Sequence, residues 1–443
     1  MSNTLCPIPW NHLEIQQNGD YKICCICTNH ETNWGRLEKD GIPASILNTS
    51  IDDARNLKLI KELRVSMLNG VEHNLCKNCY DTEKIGSVSK RQYMLEEYKG
   101  SYECINNSGE IDTTAYPIKY LDIRFGNLCN LKCITCGPGY SSLWYEDFLK
   151  YNETTSTDLF FYDTKKYKIE KINSQAKLTT NAEDFSWYEN NNSWDALKSV
   201  SNTIDRIYLT GGEPSLIKSH FLFLDYLIKN GLSHNIKLEY NSNMVAIPDM
   251  LFDKWEKFKE VEIGCSIDGI NEYANYIRHP SDWKVIEKNL DKIGYLKSKT
   301  IKGILAPTVS IFNIKHIIEL VEWLETKRYT NILGMLSLNM LQGPHYLSIQ
   351  VLPKNIKLEI IELYEKFFER TLQKYGKITS NNYRYYSEIC NHMMSNDGSE
   401  HLPELAHYVY KMDSIRNTSI EKTIPWLNDI LKGQPEFKSK EQK

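Results

Sequence analysis

Residues 120–139 read YLDIRFGNLCNLKCITCGPG and contain the pattern that decides the fold. The first six residues alternate between apolar and polar, which predicts a β-strand that ends at the following glycine. Cys129, Cys133 and Cys136 then form a C-x-x-x-C-x-x-C loop. Clustered thiolates select zinc, copper(I) or iron–sulfur. No fourth ligand is nearby, so the loop predicts a cluster with one open iron; the alternatives are zinc with a distant fourth ligand and unligated buried cysteines.

Beyond this segment the chain alternates between strand-like and helical patterns. The predicted strands are Lys119–Phe125, Arg206–Thr210, Lys237–Tyr240, Glu262–Ile267, Gly303–Val309 and Asn331–Leu338. The predicted helices between them are Phe221–Asn230, Met250–Lys259, Trp283–Ser298 and Ile314–Thr326. Repeated units of this kind predict an α/β fold with a parallel sheet and right-handed crossovers. About six units fit a partial (β/α)6 TIM-like barrel, whose ligands lie at the carboxyl ends of the strands.

A small cysteine-rich α+β domain is predicted over residues 1–110. Asn18-Gly19 predicts a hairpin turn between two short strands. Asp52 is expected to cap a helix that ends at Asn69-Gly70. These elements precede the barrel, which is predicted over residues 117–341.

Two further segments differ from the strand–helix units. The insertion at 151–195 is rich in aromatic residues, and we expect either a lid over the site or a plain surface elaboration. Residues 342–443 predict a mostly helical C-terminal extension. Its last residues, 438–443, are expected to be disordered.

The strand after the cysteine loop runs directly into Gly211-Gly212-Glu213-Pro214. Glycines at a strand end let the backbone approach a ligand closely, although this tetrapeptide alone is also a turn. The cysteine loop after one strand, followed by G-G-E-P after the next, resembles the radical S-adenosylmethionine (SAM) superfamily over roughly Pro117 to Leu341.

This resemblance implies that Cys129, Cys133 and Cys136 hold a 4Fe–4S cluster whose open iron is chelated by SAM. An electron from the cluster then cleaves a carbon–sulfur bond of SAM, and the resulting 5′-deoxyadenosyl radical abstracts hydrogen from a substrate C–H. An electron donor such as flavodoxin or ferredoxin is the implied protein partner.

The resemblance also implies SAM contacts at the later strand ends. The residues expected to contact SAM are Gly211, Gly212, Glu213, Asn243, Ser266, Asp268 and Arg278. The first three would line the amino-acid moiety, and Arg278 would pair with its carboxylate. The alternative is that the polar residues are caps and turns, because Asn-Ser-Asn and Asp-Gly both favour turns.

A second set of cysteines lies near the start of the chain. Cys6, then Gly19, four residues and Cys24, followed later by Cys76-x-x-Cys79, resembles the auxiliary-cluster pattern of SPASM and twitch radical SAM proteins. Four thiolates complete a 4Fe–4S cluster. The additional cysteines of a SPASM domain are missing after Cys79, which implies a single auxiliary cluster, as in a twitch domain.

This N-terminal set departs from the family in its position, because the familiar auxiliary module follows the barrel. Cys25 and Cys27 are also available near Cys24. Cys24 and Cys25 point to opposite faces of the predicted return strand, so one of them is expected to reach the cluster, and the spacing favours Cys24. A zinc site with four cysteine ligands is the alternative.

The overall composition is that of a soluble globular protein: 443 residues, with 53 basic and 57 acidic side chains and a net charge of −4. This balance gives no support for a nucleic-acid surface. No secretory signal and no run of 18 apolar residues is visible, so no membrane partner and a cytoplasmic, reducing location are expected. In that compartment clustered cysteines more often bind metals than form disulfides.

The sequence therefore predicts a SAM-cleaving enzyme that modifies a peptide or protein by hydrogen abstraction. Oxidation or epimerisation of a carbohydrate or aminoglycoside is the alternative substrate chemistry. A non-enzymatic zinc or iron–sulfur binding module is the alternative from another class. The substrate, the final hydrogen donor and the choice between net oxidation and epimerisation do not follow from these patterns.

Overall fold

The computed structural model describes residues 4–437 except 28–33, 85, 87, 155–167, 180–184, 342 and 376–379. The predicted disordered tail at 438–443 and parts of the 151–195 insertion lie outside the described residues. The chain divides into two compact units. The first unit comprises Met1–Leu128, Glu183–Tyr240 and Pro248–Val261, and the second comprises Cys129–Ala182, Asn241–Ile247 and Glu262–Lys443.

The strands of the described residues are β1 (His12–Ile15), β2 (Tyr21–Lys22), β3 (Glu38–Lys39), β4 (Ile42–Pro43), β5 (Tyr120–Phe125), β6 (Ile169–Ile172), β7 (Gln175–Leu178), β8 (Arg206–Gly211), β9 (Lys237–Ser242), β10 (Glu260–Cys265), β11 (Ile301–Leu305), β12 (Thr308–Val309), β13 (Ile332–Leu336) and β14 (Asn339–Met340). Each of the six predicted strands of the strand–helix units is present, within a few residues of its expected bounds.

The helices of the described residues are α1 (Ile8–Asn11), α2 (Ile51–Ala54), α3 (Lys58–Leu68), α4 (Lys77–Lys84), α5 (Lys90–Glu97), α6 (Tyr145–Thr154), α7 (Asn191–Val200), α8 (Lys218–Lys229), α9 (Asp249–Trp255), α10 (Asn271–Ile277), α11 (Trp283–Gly294), α12 (Ile317–Lys327), α13 (Lys354–Tyr375), α14 (Ser380–Met394), α15 (Leu402–Arg416), α16 (Ile420–Thr423) and α17 (Pro425–Leu431). As predicted, the residues after β14 are mostly helical. No helix among the described residues has the length and apolar character needed to cross a bilayer.

Eight of the strands form one mostly parallel sheet, in the order β13-β11-β10-β9-β8-β5-β1-β2. This confirms the α/β class. In the first unit β1 pairs parallel with β5, β5 with β8 and β8 with β9, whereas β2 is antiparallel to β1. The antiparallel pair is the hairpin predicted at Asn18-Gly19, where Gly19 has a φ of +84°.

The two faces of this sheet differ in polarity in the first unit, because side chains alternate along each strand. One register row is apolar and fully buried, and it forms the core: Leu13, Leu121, Ile207 and Leu238. The next row, on the opposite face, is polar. We call it the polar row, and it consists of Glu14, Asp122, Tyr208 and Glu239.

The helix predicted to begin at Asp52 is two helices, and its cap is a different residue. Ser50 caps α2 by accepting a hydrogen bond from the Asp53 amide. The chain leaves the helix after Arg55, whose buried guanidinium donates to the carbonyl of Trp10. A buried arginine needs such acceptors, and this requirement separates α2 from α3, which ends at Leu68 as expected.

Part of the aromatic insertion belongs to the core of the first unit, which corrects the expectation of a lid for that part. Trp187 and Trp194 are buried and stack on Phe125, with ring centroids 6.0 and 5.8 Å away. Trp194 also lies 5.5 Å from Phe223 of α8. These rings cover the end of β5, and burying them removes a large apolar area from water.

Candidate functional site

The cysteine loop of the second unit is held by backbone hydrogen bonds to the segment around Arg278. The amide of Lys132 donates to the carbonyl of His279 at 2.7 Å, and the amide of Ile134 donates to that of Ile277 at 2.8 Å. This pairing fixes the loop beside Arg278, which the sequence analysis predicts as a SAM contact.

Three side chains also hold the loop by donating to its carbonyl groups. Ser141 Oγ donates to Leu131 at 2.5 Å, and Trp144 Nε1 donates to Cys133 at 3.1 Å. The buried hydroxyl of Tyr408 on α15 donates to the carbonyl of Ile134 at 2.6 Å. Since backbone carbonyls of a buried loop need donors, these contacts fix the conformation of the loop.

A buried ion-pair network lies behind the same loop. Asp147 of α6 accepts from Lys132 Nζ at 2.7 Å and from Arg416 Nε at 2.8 Å. The side chains of Asp147 and Arg416 are each 1% exposed. The Arg416 guanidinium also lies over the Trp144 ring, 4.4 Å from its centroid. The C-terminal helix α15 therefore contributes two residues, Tyr408 and Arg416, to the support of the loop.

The three loop cysteines form no disulfide bond with the described residues and are half-buried. Burial raises the pKa of Cys133 and Cys136, and for Cys136 the neighbouring Cys133 and Cys129 raise it further. The positive charge of Arg278 acts in the opposite direction on both groups. Thiols that disfavour one another's ionisation in this way are chemically suited to a shared cation, which removes that repulsion.

The described residues contain no group of three or more His, Cys, Asp or Glu side chains arranged around a common metal position. The loop places Cys129, Cys133 and Cys136 within eight consecutive residues. Cys129 Sγ accepts from the amide of Leu131 at 3.4 Å and from Asn243 Nδ2 at 3.9 Å.

Asp268 and Arg278, both predicted SAM contacts, form a buried ion pair with each other. Arg278 Nε lies 2.8 Å from Asp268 Oδ2, and Asp268 Oδ1 accepts from the amide of Thr308 at 2.7 Å. The pKa of Arg278 is raised, because the Asp268 carboxylate and the nearby cysteines outweigh the opposing effect of burial. Arg278 is thus paired within the protein and sets the charge beside the cysteine loop.

The predicted contacts Asn243 and Ser266 differ in their surroundings. Asn243 is buried and donates to Asn130 Oδ1 at 2.7 Å, which connects the end of β9 to the cysteine loop. Its Oδ1 accepts from the amide of Val245 at 2.9 Å, as a turn-forming asparagine does. Ser266 is half-buried, and its amide donates to the carbonyl of Ser242 at 2.8 Å.

In the first unit, the local backbone geometry requires glycine at both Gly211 and Gly212. A Cβ on Gly212 would lie 2.1 Å from the carbonyl oxygen of Leu128, and Gly211 has a φ of +120°. The amide of Gly212 donates to Gly126 at 3.1 Å, and the amide of Glu213 donates to Leu128 at 2.8 Å. The end of β8 is therefore bonded to the residues that immediately precede Cys129 in the chain.

Glu213 is buried and caps the turn that follows it. Its Oε1 accepts from the amide of Ser215 at 3.2 Å and from the Ser215 hydroxyl at 2.7 Å. The structure thus gives Glu213 the capping role that was the alternative for these polar residues, and the carboxylate stays close to the backbone of the segment.

The second set of cysteines surrounds one largely apolar cavity in the first unit. Its sulfur-bearing lining residues are Cys6, Cys24, Cys27, Cys76 and Cys79. Burial raises the pKa of Cys6, and Cys24 raises it further. Arg91 also lines the cavity, and its charge lowers the pKa of Cys6. A largely apolar cavity lined by several thiols and by two cations, Lys90 and Arg91, fits an iron–sulfur cluster, whose thiolate ligands carry negative charge.

Cys25 does not line this cavity. Its sulfur accepts from Lys90 Nζ at 3.0 Å. The strand β2 ends at Lys22, before Cys24 and Cys25, and the two cysteine side chains are hydrogen-bonded to each other, so the expectation that they point to opposite faces of a strand is wrong. Cys27 does line the cavity and was not among the four predicted ligands. Gly35 lies against it, since a Cβ there would be 2.9 Å from Cys27 Cβ.

The sequence did not identify Tyr408, Arg416, Trp144 and Asp147 as part of the site. No short motif contains them, since Tyr408 is 274 residues from its acceptor and Arg416 is 269 residues from Asp147. The one local signal for these supporting residues was that Trp144 and Asp147 follow the cysteine loop closely in the sequence.

No protein-family model matches the chain, and no curated protein sequence matches it. Solved structures that are similar to it include anSMEcpe with bound AdoMet, at 16% identity and a TM-score of 0.37, over 58% of this chain and 60% of that one. Streptococcus suis SuiB bound to S-adenosylmethionine matches at 12% identity and a TM-score of 0.32, over 81% and 68% of the two chains. TYW1 with a lysine-pyruvate adduct bound matches at 17% identity and a TM-score of 0.28, over 57% and 71%.

These structural neighbours are radical SAM enzymes. Further structures of the first two hold a Cp18Cys peptide and the precursor peptide SuiA. The chain spans about 60% of the length of the first of them.

Proposed function

We propose that this protein is a radical SAM enzyme with a partial (β/α)6 barrel. The observation that supports it most is the C-x-x-x-C-x-x-C loop after β5, with its backbone bonded to the residues on either side of Arg278. Cys129, Cys133 and Cys136 would hold a 4Fe–4S cluster. When bound, that cluster supplies the electron that cleaves SAM and yields the 5′-deoxyadenosyl radical.

The remaining residues of the proposed SAM site bind and orient. Gly211 and Gly212 allow the G-G-E-P backbone to run close to the start of the cysteine loop, and Glu213 keeps that turn in place. Arg278 and Asp268 form a polar pair beside the loop. Asn243 and Ser266 provide amide and hydroxyl groups suited to a ribose or a carboxylate.

We further propose an auxiliary 4Fe–4S cluster held by Cys6, Cys24, Cys76 and Cys79. The shared cavity supports this set, and the position of Cys25 outside the cavity supports Cys24 as the second ligand. The functional segments would be 1–110 for this cluster, 117–341 for SAM and 342–443 as a helical extension. A cytoplasmic location and an electron donor such as flavodoxin or ferredoxin follow from this chemistry.

A peptide or protein is the substrate class that we propose, with a carbohydrate or aminoglycoside as the second candidate. Cys6, Cys24, Cys76 and Cys79 would hold a cluster that could supply a one-electron acceptor, as net oxidation of the substrate requires. A redox-silent cluster would leave epimerisation as the outcome. A pool of synthetic peptides should stimulate SAM cleavage more than a pool of small sugars does. The opposite ranking would favour the carbohydrate candidate.

The central test is anaerobic reconstitution of the full chain with iron and sulfide, followed by SAM and dithionite. Formation of 5′-deoxyadenosine is expected in the unaltered protein and is lost when Cys129, Cys133 and Cys136 are all replaced by alanine. Cys265→Ala is the matched control, because Cys265 is buried on β10 outside both cysteine sets. Absence of 5′-deoxyadenosine, or its persistence in the triple variant, would contradict the proposal, and zinc at both sites would indicate a binding module.

A further inference from the structure

The polar row of the first unit contains carboxylates with unequal numbers of partners. Glu239 is fully engaged, since Arg206 donates to both of its oxygens at 2.7 and 2.8 Å. Asp122, two strands away in the same row, has a side chain that is 0% exposed. Neither of its oxygens accepts a hydrogen bond from the described residues.

Glu14 lies directly opposite Asp122 on the neighbouring strand and is also 0% exposed. Its Oε1 accepts from Gln16 Nε2 and lies 2.8 Å from Arg124 Nη2, whereas its Oε2 accepts no hydrogen bond within the described part of the chain. The same guanidinium reaches Asp122 only at 3.6 Å, from Nε to Oδ1. Three buried carboxylate oxygens on facing strands are thus without a hydrogen-bond donor.

The charges in this part of the row are also unequal. Within the described residues Arg124 is the one cation that forms an ion pair with either carboxylate. Lys90, the next nearest cation, is directed at the sulfur of Cys25 and lies over the Tyr120 ring. Two carboxylates therefore share one guanidinium, in an interior where buried polar groups are almost always paired.

We propose that Glu14 and Asp122 form a subsite for a primary ammonium group of the substrate. The three N–H donors of an ammonium equal in number the three carboxylate oxygens that accept no hydrogen bond, and its charge balances the excess carboxylate. The assignment to substrate rests on the proposed function, because it assumes that this face of the sheet carries the molecule that is modified.

The position of the row along its strands fits that role. Tyr208, the member of the row on β8, precedes Gly211 by three residues on the same strand. At about 3.3 Å per residue, the row lies about 10 Å along β8 from the G-G-E-P segment. The proposed ammonium subsite and the glycines that we assign to SAM are therefore near each other along the same strand.

The electrostatic setting of Asp122 agrees with this geometry. Burial raises the pKa of Asp122 to about 8, Arg124 lowers it, and Glu14 raises it. Cys25 also raises the pKa of Asp122, and Lys90 lowers it. An ammonium held between the carboxylates would compensate the charge that burial disfavours.

The test uses the full-length reconstituted protein and propylammonium chloride as the probe, with binding measured by calorimetry. We expect saturable binding of propylammonium but not of propan-1-ol, which has one donor and no charge. Asp122→Asn and Glu14→Gln should each weaken it about tenfold or more, since each removes a charged acceptor. Glu239→Gln is the matched control, because its carboxylate is in the same row with both oxygens already paired.

Thermal stability separates a binding role from a structural one. A buried carboxylate that lacks donors costs stability in the free protein, so Asp122→Asn should leave Tm unchanged or raise it, while Glu239→Gln should lower it. Equal affinity of unaltered and substituted proteins for propylammonium, or equal binding of propan-1-ol, would overturn the proposal. An Asp122→Asn protein that fails to fold would show a structural carboxylate and would also overturn it.

These measurements need no turnover, so they distinguish this proposal from the proposed function. Specific ammonium binding in a protein that forms no 5′-deoxyadenosine would leave the subsite and remove the radical SAM assignment. Formation of 5′-deoxyadenosine without ammonium binding would leave the radical SAM assignment and remove the subsite.

Discussion

Replacement of Tyr408 by phenylalanine tests whether the C-terminal extension holds the cysteine loop. The change removes only the hydroxyl that donates to the carbonyl of Ile134 at 2.6 Å. That carbonyl then stays buried without a donor, which costs about 1–3 kcal/mol of unfolding free energy. The ring and its packing against Tyr346, 5.2 Å away, are kept.

Tyr364→Phe is the matched control, because the buried Tyr364 hydroxyl also donates to a backbone carbonyl, that of Ile314, at 2.6 Å. Anaerobic urea unfolding should show a similar loss of about 1–3 kcal/mol for both variants. Only Tyr408→Phe should also accelerate the loss of iron to a chelator, measured in a background with Cys76→Ser and Cys79→Ser so that one cluster remains. Equal rates of iron loss in the two variants would refute the reasoning.

Three further outcomes follow from the geometry. Gly212→Ala should abolish 5′-deoxyadenosine formation while the iron content stays, because its Cβ would lie 2.1 Å from a backbone oxygen, and wild-type activity would contradict the close approach. Cys24→Ser should remove about four irons per chain and Cys25→Ser none, by metal analysis; equal losses would reject the cavity assignment. Burial lowers the pKa of His220 to about 3, so the folded state favours the neutral imidazole ring. The free energy of unfolding should therefore fall as the pH drops below about 6.5. The free energy of unfolding should be about 2 kcal/mol lower at pH 5 than at pH 7. In urea unfolding, His220→Gln should lack this part of the pH-dependent loss, and an unchanged pH dependence would contradict the role of His220.

The strands and the cysteine motifs could be predicted because their signals are local. Alternation in residues 120–125 and glycines at strand ends depend on neighbours in the chain, and the structure has strands at each predicted position. The pairing of β1 with β5 could not be predicted, since the two strands are separated by more than 100 residues and their sequences do not specify which strand each one pairs with.

The supports of the site were missed for a related reason. Tyr408 and Arg416 lie on a helix whose pattern is typical of ordinary core packing, and only the tertiary structure brings them to the cysteine loop. The lid expectation failed over Trp187 and Trp194, because an aromatic-rich stretch with weak periodicity reads the same whether it covers a site or fills a core.

The parallel pairing of β1 with β5 means that the cysteine-rich segment also protects an edge of the sheet. A chain shortened by its first 110 residues would leave one edge of β5 without the partner that β1 provides along Tyr120–Ile123. Such an edge recruits strands from other molecules and leads to aggregation. The cysteine-rich segment would therefore be difficult to lose or to exchange without replacing the strand that it contributes.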